Sequence, residues 1–472
     1  MIIKEIAYQE PVRIFEALKD RPFSFFLDSG MDPQRLGRYS LMGSDPFLVV
    51  KSKGCKISIL EDGTWMEQEG EPFQVLRELM KRYQVESDSR VPTTAGAFGY
   101  FAYDLGWQLE KLPQMAVDDL ALPDCYLGFY DRLVVCDHLK GKTYLTSTGL
   151  PEQGEGAAVR ARNRMAELEA LIDENAENGE QPAAPAKQPV VYGHFTKDAY
   201  CAAVQRVKDY IVAGDIFQAN MTQRFSCQME MEPWQLYLRL REINPAPFAA
   251  YLHYPELVVA SASPERFLQV RDSIVETRPI KGTRPRGKDP EEDMRLRTEL
   301  LESEKDHAEL AMIIDLERND LGKVCSFGSV KVPELFCLEE YPTVFHLVST
   351  VMGKIAPEKD LIDLLQASFP GGSITGAPKV RAMEIIEELE PVKRGIYTGS
   401  IGYLGFDGSV DLSIVIRTVI IKDGTAYLQA GGGITAGSDP EDEYWETITK
   451  VRALLEALGC EGEVEVCPVL PG

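Results

Sequence analysis

One polar stretch constrains the fold more than any other feature. Asp173–Pro189 (DENAENGEQPAAPAKQP) is rich in Pro and Ala and carries no apolar period, so it reads as a linker rather than a packed element. Before it, residues 1–150 carry short alternating apolar runs between turn signals, such as Phe47-Leu48-Val49-Val50, Lys56-Ile57-Ser58-Ile59 and Leu133-Val134-Val135-Cys136. That pattern predicts a strand-rich lobe with a few helices, one of them Phe73 to Tyr83. Phe25 to Gly30 followed by Arg38-Tyr39-Ser40 reads as strand, turn, strand. Ala95 to Leu105 (AGAFGYFAYDL) predicts a buried strand with close backbone approach. Glu155 to Leu171 has helical composition and, with the linker, makes up a connecting segment over 151–190. Beyond it, Lys197 to Ala213 predicts a helix ended by Gly214, and strands alternate with helices through a second domain over 191–465.

The chain of 472 residues is long enough for about three average domains or one large intertwined fold. Its net charge of −24 repels nucleic acid and anionic membranes, so neither is expected as a partner. An anionic substrate would need a local basic pocket inside this acidic shell. Nine scattered cysteines with no C-x-x-C fit a reducing compartment and argue against a disulfide framework. The N-terminus lacks an apolar signal core, and no apolar run is long enough to span a bilayer. The expected location is cytoplasmic.

Pro370 to Pro391 (PGGSITGAPKVRAMEIIEELEP) stands out for a reversed charge order. Ala382, Ile385, Ile386 and Leu389 mark one face of a helix that starts at Pro378 and stops at Pro391. Lys379 and Arg381 fall in the first turn and four glutamates follow, against the preference of the helix dipole. Cations there predict an anion close by.

Two glycine patterns approach nucleotide motifs and fail. Gly282 to Asp289 has P-loop spacing, but Asp289 stands where a metal-binding hydroxyl belongs. Gly431 to Ala436 matches G-x-G-x-x-A with too little chain after it for a dinucleotide fold. Both are more simply read as turns.

Three other groupings could carry chemistry. Asp306 and Glu309 lie one turn apart on a predicted helix, Glu304 to Leu316. Glu443, Glu446 and Lys450 share a face of a second helix that begins at Ser438-Asp439-Pro440. Four carboxylates on two helix faces could hold a hard cation such as magnesium; each face alone reads equally as a solvated acidic surface. Glu276 to Lys288 concentrates five cations, and Lys281, between Ile280 and Gly282, reads equally as a candidate nucleophile or base and as part of a solvated basic loop. Glu265, in Ser263-Pro-Glu-Arg266, is a candidate general acid if buried and otherwise a surface Glu–Arg pair, the commoner arrangement; His346, in an apolar run, reads more simply as a core residue than as a catalyst.

Taken in order, Gly214 to Asn220, Ser263 to Arg266, Arg278 to Thr283, Asp315 to Asp320, His346 to Thr350, Pro370 to Arg381, Gly399 to Tyr403, Ile416 to Thr418 and Glu443 to Lys450 resemble the chorismate-utilising enzymes. The resemblance is specifically to the large synthase subunits of the anthranilate and aminodeoxychorismate families, and it covers nearly the whole chain. It implies an α+β fold of two packed antiparallel sheets flanked by helices, Mg2+, and chorismate as substrate. It implies Glu309 and Glu446 as metal ligands with Asp306 and Glu443 alongside. Arg417 and Lys450 become clamps for substrate carboxylates, helped by Tyr403, Thr375 and the backbone of Gly431, Gly432 and Gly433. Glu265 becomes the acid that protonates the departing C4 hydroxyl, and His346 lies near the reacting ring. Ser29, Arg38, Tyr39 and Ser40 resemble the stretch where relatives bind tryptophan.

Two positions separate the branches of the family. Isochorismate and salicylate synthases carry a water-activating lysine where this chain has Gln218. Anthranilate synthases typically read P-I-A-G-T where this chain reads Pro279-Ile-Lys-Gly-Thr283. In aminodeoxychorismate synthases that lysine is proposed to attack chorismate C2, after which ammonia displaces it at C4 and gives 4-amino-4-deoxychorismate, the precursor of 4-aminobenzoate and folate. The resemblance therefore favours that branch. The alternatives are anthranilate synthesis and a silent chorismate- or tryptophan-binding regulatory partner. No glutamine amidotransferase module is visible at either end of the sequence, which implies ammonia from a separate glutaminase subunit.

Overall fold

The computed structural model describes residues 1–174, 189–341, 344–460 and 466–468. Most of the linker expected at Asp173–Pro189 lies outside them.

Among the described residues two large sheets, of 13 and 12 strands, form the body. Pairing is antiparallel in both, apart from the parallel join of Val191–Gly193 with Val466–Pro468. Each sheet draws strands from both sides of residue 150. In the first, Phe25–Asp28 pairs with Phe248–His253. In the second, Gly96–Phe101 pairs with Ser400–Gly405. The strand-rich first 150 residues and the later part are thus woven into the same sheets.

The sheets face each other across an aromatic layer. Phe25 of the first stacks on Phe98 of the second at 4.3 Å, and Tyr126 stacks on Tyr254 at 4.1 Å. Offset rings and their burial hold the layer together. The outer face of the first sheet is covered by helices that include Gly154–Glu174, Pro233–Ile243 and Pro440–Ala457; Glu304–Gly322 and Leu361–Ser368 cover the second. The layers run helix, sheet, sheet, helix.

Local signals fixed many element ends. Thr196 accepts from the Ala199 N–H and opens Lys197–Ala213, which Gly214 closes at φ +83°. Asp439 accepts from the N–H groups of Glu441 and Asp442 and opens Pro440–Ala457. Gly99 lies in the fully buried strand Gly96–Phe101, where a Cβ would come within 2.0 Å of the Tyr126 carbonyl oxygen; close backbone approach is why a glycine stands there.

The structure corrects two local expectations. Pro378 caps the helix Lys379–Leu389 rather than forming its first residue. The anion that answers its reversed charges is the protein's own: Lys379 donates to Asp320 at 2.5 Å and to the carbonyls of Ser368 and Pro370. Gly431–Gly433 is also no turn. It lies inside the strand Thr425–Ile434, paired with Asn220 to Thr222.

Arg394, 3 % exposed, ties three elements together. It holds both Glu390 carboxylate oxygens, the Ile374 carbonyl and the Asn220 carbonyl at 2.6–2.9 Å. Arg394→Ala strands a buried carboxylate and should cost about 3–5 kcal/mol of stability. Urea unfolding would show it, and an unshifted midpoint would mean that the cluster does not hold the fold.

Candidate active site

The chain passes between the two sheets at two adjacent points, and each crossing carries a functional side chain. Val258–Ser263 lies in the first sheet and Arg266–Arg271 in the second, with Glu265 between them. Val410–Ile414 lies in the second and Thr418–Lys422 in the first, with Arg417 between them. The crossings are joined: Ile414 N–H donates to the Glu265 carbonyl at 3.0 Å, and Ala262 N–H to the Arg417 carbonyl at 3.0 Å. Arg417 adopts φ +52°, a conformation that costs a side-chain-bearing residue about 1 kcal/mol or more and is kept where position matters.

Glu265 is 5 % exposed. Burial pushes its carboxyl up to about 7, against Ser373, Lys281 and the Ile280 N–H, which favour the charged form. A carboxyl at that value is half protonated at neutral pH and can act as a general acid. His346, 8 % exposed, is pushed down to about 4 by burial and by Arg417. Its Nδ1 lies 2.8 Å from the Thr283 hydroxyl. It is a neutral ring at physiological pH. Burial holds Arg417 below its ordinary value, against the nearby Tyr397. Among the described residues Arg417 makes no ion pair and no side-chain hydrogen bond. A half-buried, unpaired guanidinium predicts an anionic ligand.

Lys281 lies in Ile280–Pro285 of the second sheet and reaches across to the first. A Cβ on Gly433 would lie 3.1 Å from its Nζ and 2.2 Å from Gln218 Nε2. Lys281 and Gln218 thus share one spot against Gly433. A Cβ on Gly432 would meet Glu443 Oε2 at 2.8 Å and Glu446 Oε1 at 3.4 Å. These glycines leave room for the side chains of the site.

The carboxylates come together unevenly. Burial raises Glu309, with Asp306 and Glu446 adding to the push and Lys281 and Lys305 opposing it. Burial raises Glu443 too, against the Ser438 hydroxyl that donates to it at 2.6 Å. At Glu446 burial opposes charge, but Lys450, 2.6 Å away, wins and holds the carboxyl below its usual range. Among the described residues no three His, Cys, Asp or Glu side chains converge as a cation cage, so the four-carboxylate cluster expected from the sequence is not assembled. Asp306 instead accepts from Arg284 at 3.2 Å. What remains is Glu446, close enough that its charge acts on both Glu309 and Glu443. That suits magnesium, which takes one or two carboxylates and keeps waters.

Other expected residues fall differently. Lys450 is engaged by Glu446 and by the Gly431 carbonyl at 2.7 Å. Thr375 is fully buried, and its hydroxyl donates to the Gly371 carbonyl at 2.9 Å; it fixes the turn rather than facing open space. Tyr403 is not beside Arg417. It stacks on Phe98 at 5.3 Å and lines a separate cavity of about 240 Å3. The tyrosine near Arg417 is Tyr397, which the motif reading missed. Ser373, beside Glu265, was missed as well.

The separate cavity is lined by Ser29, Arg38 and Tyr39, together with Phe248 and Tyr403. Arg38 pairs with Asp137 at 2.8 Å. Ser40 lies behind the wall, donating to Asp28 and meeting His138 Nε2 at 2.8 Å.

A family model described as chorismate binding enzyme matches residues 24–456. The chain belongs to the chorismate-binding enzyme family. It is 41 % identical over 465 residues to anthranilate synthase component 1 of Acetivibrio thermocellus, covering 97 % of this chain and 94 % of that one. It is 39 % identical over 465 residues to aminodeoxychorismate synthase component 1 of Bacillus subtilis (strain 168), covering 96 % of each. Anthranilate synthase component I from Streptococcus pneumoniae superposes with a TM-score of 0.79 at 32 % identity, over 89 % of this chain and 92 % of that one. The fold is also that of MenF, the menaquinone-specific isochorismate synthase from Escherichia coli, at a TM-score of 0.72 and 16 % identity, over 97 % of this chain and 94 % of that one. This chorismate-binding enzyme is therefore a chorismate-utilising protein whose relatives divide between anthranilate synthase component 1 and aminodeoxychorismate synthase component 1. Among the described residues no helix is long and apolar enough to cross a membrane.

Proposed function

We propose that the chain is the large subunit of an aminodeoxychorismate synthase, converting chorismate and ammonia to 4-amino-4-deoxychorismate. The observation that carries this reading is the placing of Lys281. It stands against Gly433 beside Gln218, and its charge acts on Glu265, Glu309 and Glu446. Arg417 binds a substrate carboxylate, helped by the backbone at Gly431–Gly433. Lys281, as the free amine, adds to C2 of the ring. Glu265 gives its proton to the departing C4 hydroxyl, which leaves as water. Ammonia then bonds to C4, the double bond shifts back, and the Lys281 nitrogen leaves C2. The neutral His346 contacts the ring without adding charge. Glu309 and Glu446, with Glu443 alongside, would hold Mg2+, which neutralises substrate carboxylate charge when bound.

Ammonia would come from a separate glutaminase subunit, as the component 1 names of the relatives suggest. The product would feed 4-aminobenzoate and folate synthesis in the cytoplasm. The cavity beside Ser29, Arg38 and Tyr39 would take tryptophan. Anthranilate synthase is the second reading, favoured by the 41 % identity to such an enzyme.

The test is a product assay with chorismate, magnesium and ammonium. A product that becomes 4-aminobenzoate only after an added lyase supports the first reading; direct fluorescent anthranilate supports the second. Glu309→Ala should lower magnesium-dependent turnover about 100-fold or more. Wild-type-like rates across a magnesium titration would remove Glu309 from the metal site.

A further inference from the structure

The turn Gly372–Ile374 separates two buried carboxyls. On one side, Ser373 favours the charged form of Glu265 through a hydrogen bond. On the other, the Gly372 N–H donates to Glu317 Oε1 at 3.1 Å. Glu317 is 2 % exposed on the helix Glu304–Gly322, and nothing in the proposed reaction uses it. Its second oxygen, Oε2, is buried with no hydrogen-bond partner. Such an orphan acceptor costs about 1–3 kcal/mol and calls for a donor that the protein itself does not supply.

The surroundings say what kind of donor fits. One turn further along the same helix, Asp320 lines a solvent-open groove of about 780 Å3, with Met312, Leu316, Phe369, Pro370 and Val380. At Asp320 an ammonium group is already held: Lys379 Nζ donates to the Asp320 carboxylate and to the Ser368 and Pro370 carbonyls. Asp320 on the groove wall lies close enough to act on Glu317, and Glu265, across the turn Gly372–Ile374, acts on it as well. Burial, with Asp320 and Glu265 adding to it, raises the Glu317 carboxyl to about 7, against Lys379 and the Gly372 N–H, which favour the charged form. A ligand that fits is small, carries hydrogen-bond donors and is cationic or neutral.

We propose that Glu317 receives the nitrogen nucleophile, as ammonium or ammonia, through its free Oε2 as it passes from the groove beside Lys379 to the site at Glu265 and Lys281. This rests on the amination reading and adds an entry side to it. When ammonium arrives, one N–H proton moves to Glu317 Oε2, the N–H electron pair stays on nitrogen, and neutral ammonia continues inward. The carboxyl then returns that proton to solvent by way of the groove. Ammonium from solution and ammonia from a glutaminase subunit share this chemistry.

Glu317→Gln keeps an acceptor for the Gly372 N–H and removes the carboxylate. The test measures KM for ammonium chloride and KM for chorismate on the full chain with magnesium, and repeats the assay with glutamine and a glutaminase subunit. Glu317→Gln should raise the ammonium KM about tenfold or more and leave the chorismate KM within about twofold. Glu317→Asp should recover part of the loss. Val380→Trp, which narrows the groove without touching Glu317, should lower kcat/KM for ammonium about fivefold and guards against a Gln variant that fails to fold. Loss in both nitrogen arms places Glu317 on a shared route; loss with ammonium alone places it on the route from solution. Wild-type ammonium KM in both variants overturns the inference, as does a Gln variant whose chorismate KM moves instead. A wild-type chain that forms no amino product overturns the amination reading itself, and the inference with it.

Discussion

Lys281→Ala lowers formation of 4-amino-4-deoxychorismate by about 10³-fold or more at neutral pH, with the chorismate KM little changed. The variant leaves Glu265, Arg417 and the carboxylates in place, so substrate still binds and the C4 hydroxyl can still be protonated. What it loses, in the proposed reaction, is the nucleophile at C2 that lets the hydroxyl depart. Truncation also removes a cation whose charge acts on Glu265, Glu309 and Glu446. Lys281→Arg therefore serves as the control: it keeps the charge, is not a nucleophile, and should be nearly as inactive. Full activity in the Arg variant would leave electrostatics as the role of Lys281. An unchanged rate in the Ala variant would end the covalent role.

Glu265→Gln is the second large effect, a loss of about 10²–10⁴-fold. Its sign with pH can be worked out. The acid must carry a proton, and burial lifts the carboxyl to about 7. In the wild-type enzyme kcat/KM should hold below that value and fall as pH rises through it. In Glu265→Gln the fall should vanish with the group that causes it. His346 cannot produce the same limb, because it titrates near 4 and is neutral on both sides of 7. A pH profile with the same descending limb in wild type and variant would assign the proton to another group.

The helices that carry Glu309 and Glu446 were legible because their starts are written locally. Ser303 and Asp439 accept from backbone N–H groups within three residues, and cap chemistry needs no knowledge of the rest of the chain. Lys281 and Glu265 were legible through motif likeness. The crossings between sheets were not. They depend on pairing between strands about 150 residues apart, and no local pattern encodes that. For the same reason Tyr403 was placed wrongly. Ser400–Gly405 is a strand, so alternate side chains face opposite ways. Tyr403 points into the aromatic layer with Phe98. Tyr397 precedes the strand, and the Thr398 N–H that follows it pairs with the Val415 carbonyl at 2.7 Å, beside the Arg417 crossing. The glycines at 431–433 looked like turns because sequence shows a missing side chain and not the neighbour that fills the space. Lys379 and Arg381 did signal a nearby anion, but for Lys379 it is Asp320, contributed by a helix about 60 residues earlier.

In the proposed reaction Lys281 forms a bond to the substrate during amination at C4. Peptide mass spectrometry tests it most directly. The chain is incubated with chorismate and magnesium, without ammonia, then quenched and digested. The account predicts an added mass equal to chorismate less one water, mapped to the peptide that contains Lys281 and lost when ammonium is added. An unmodified Lys281 in a chain that turns chorismate and ammonium into anthranilate would contradict it.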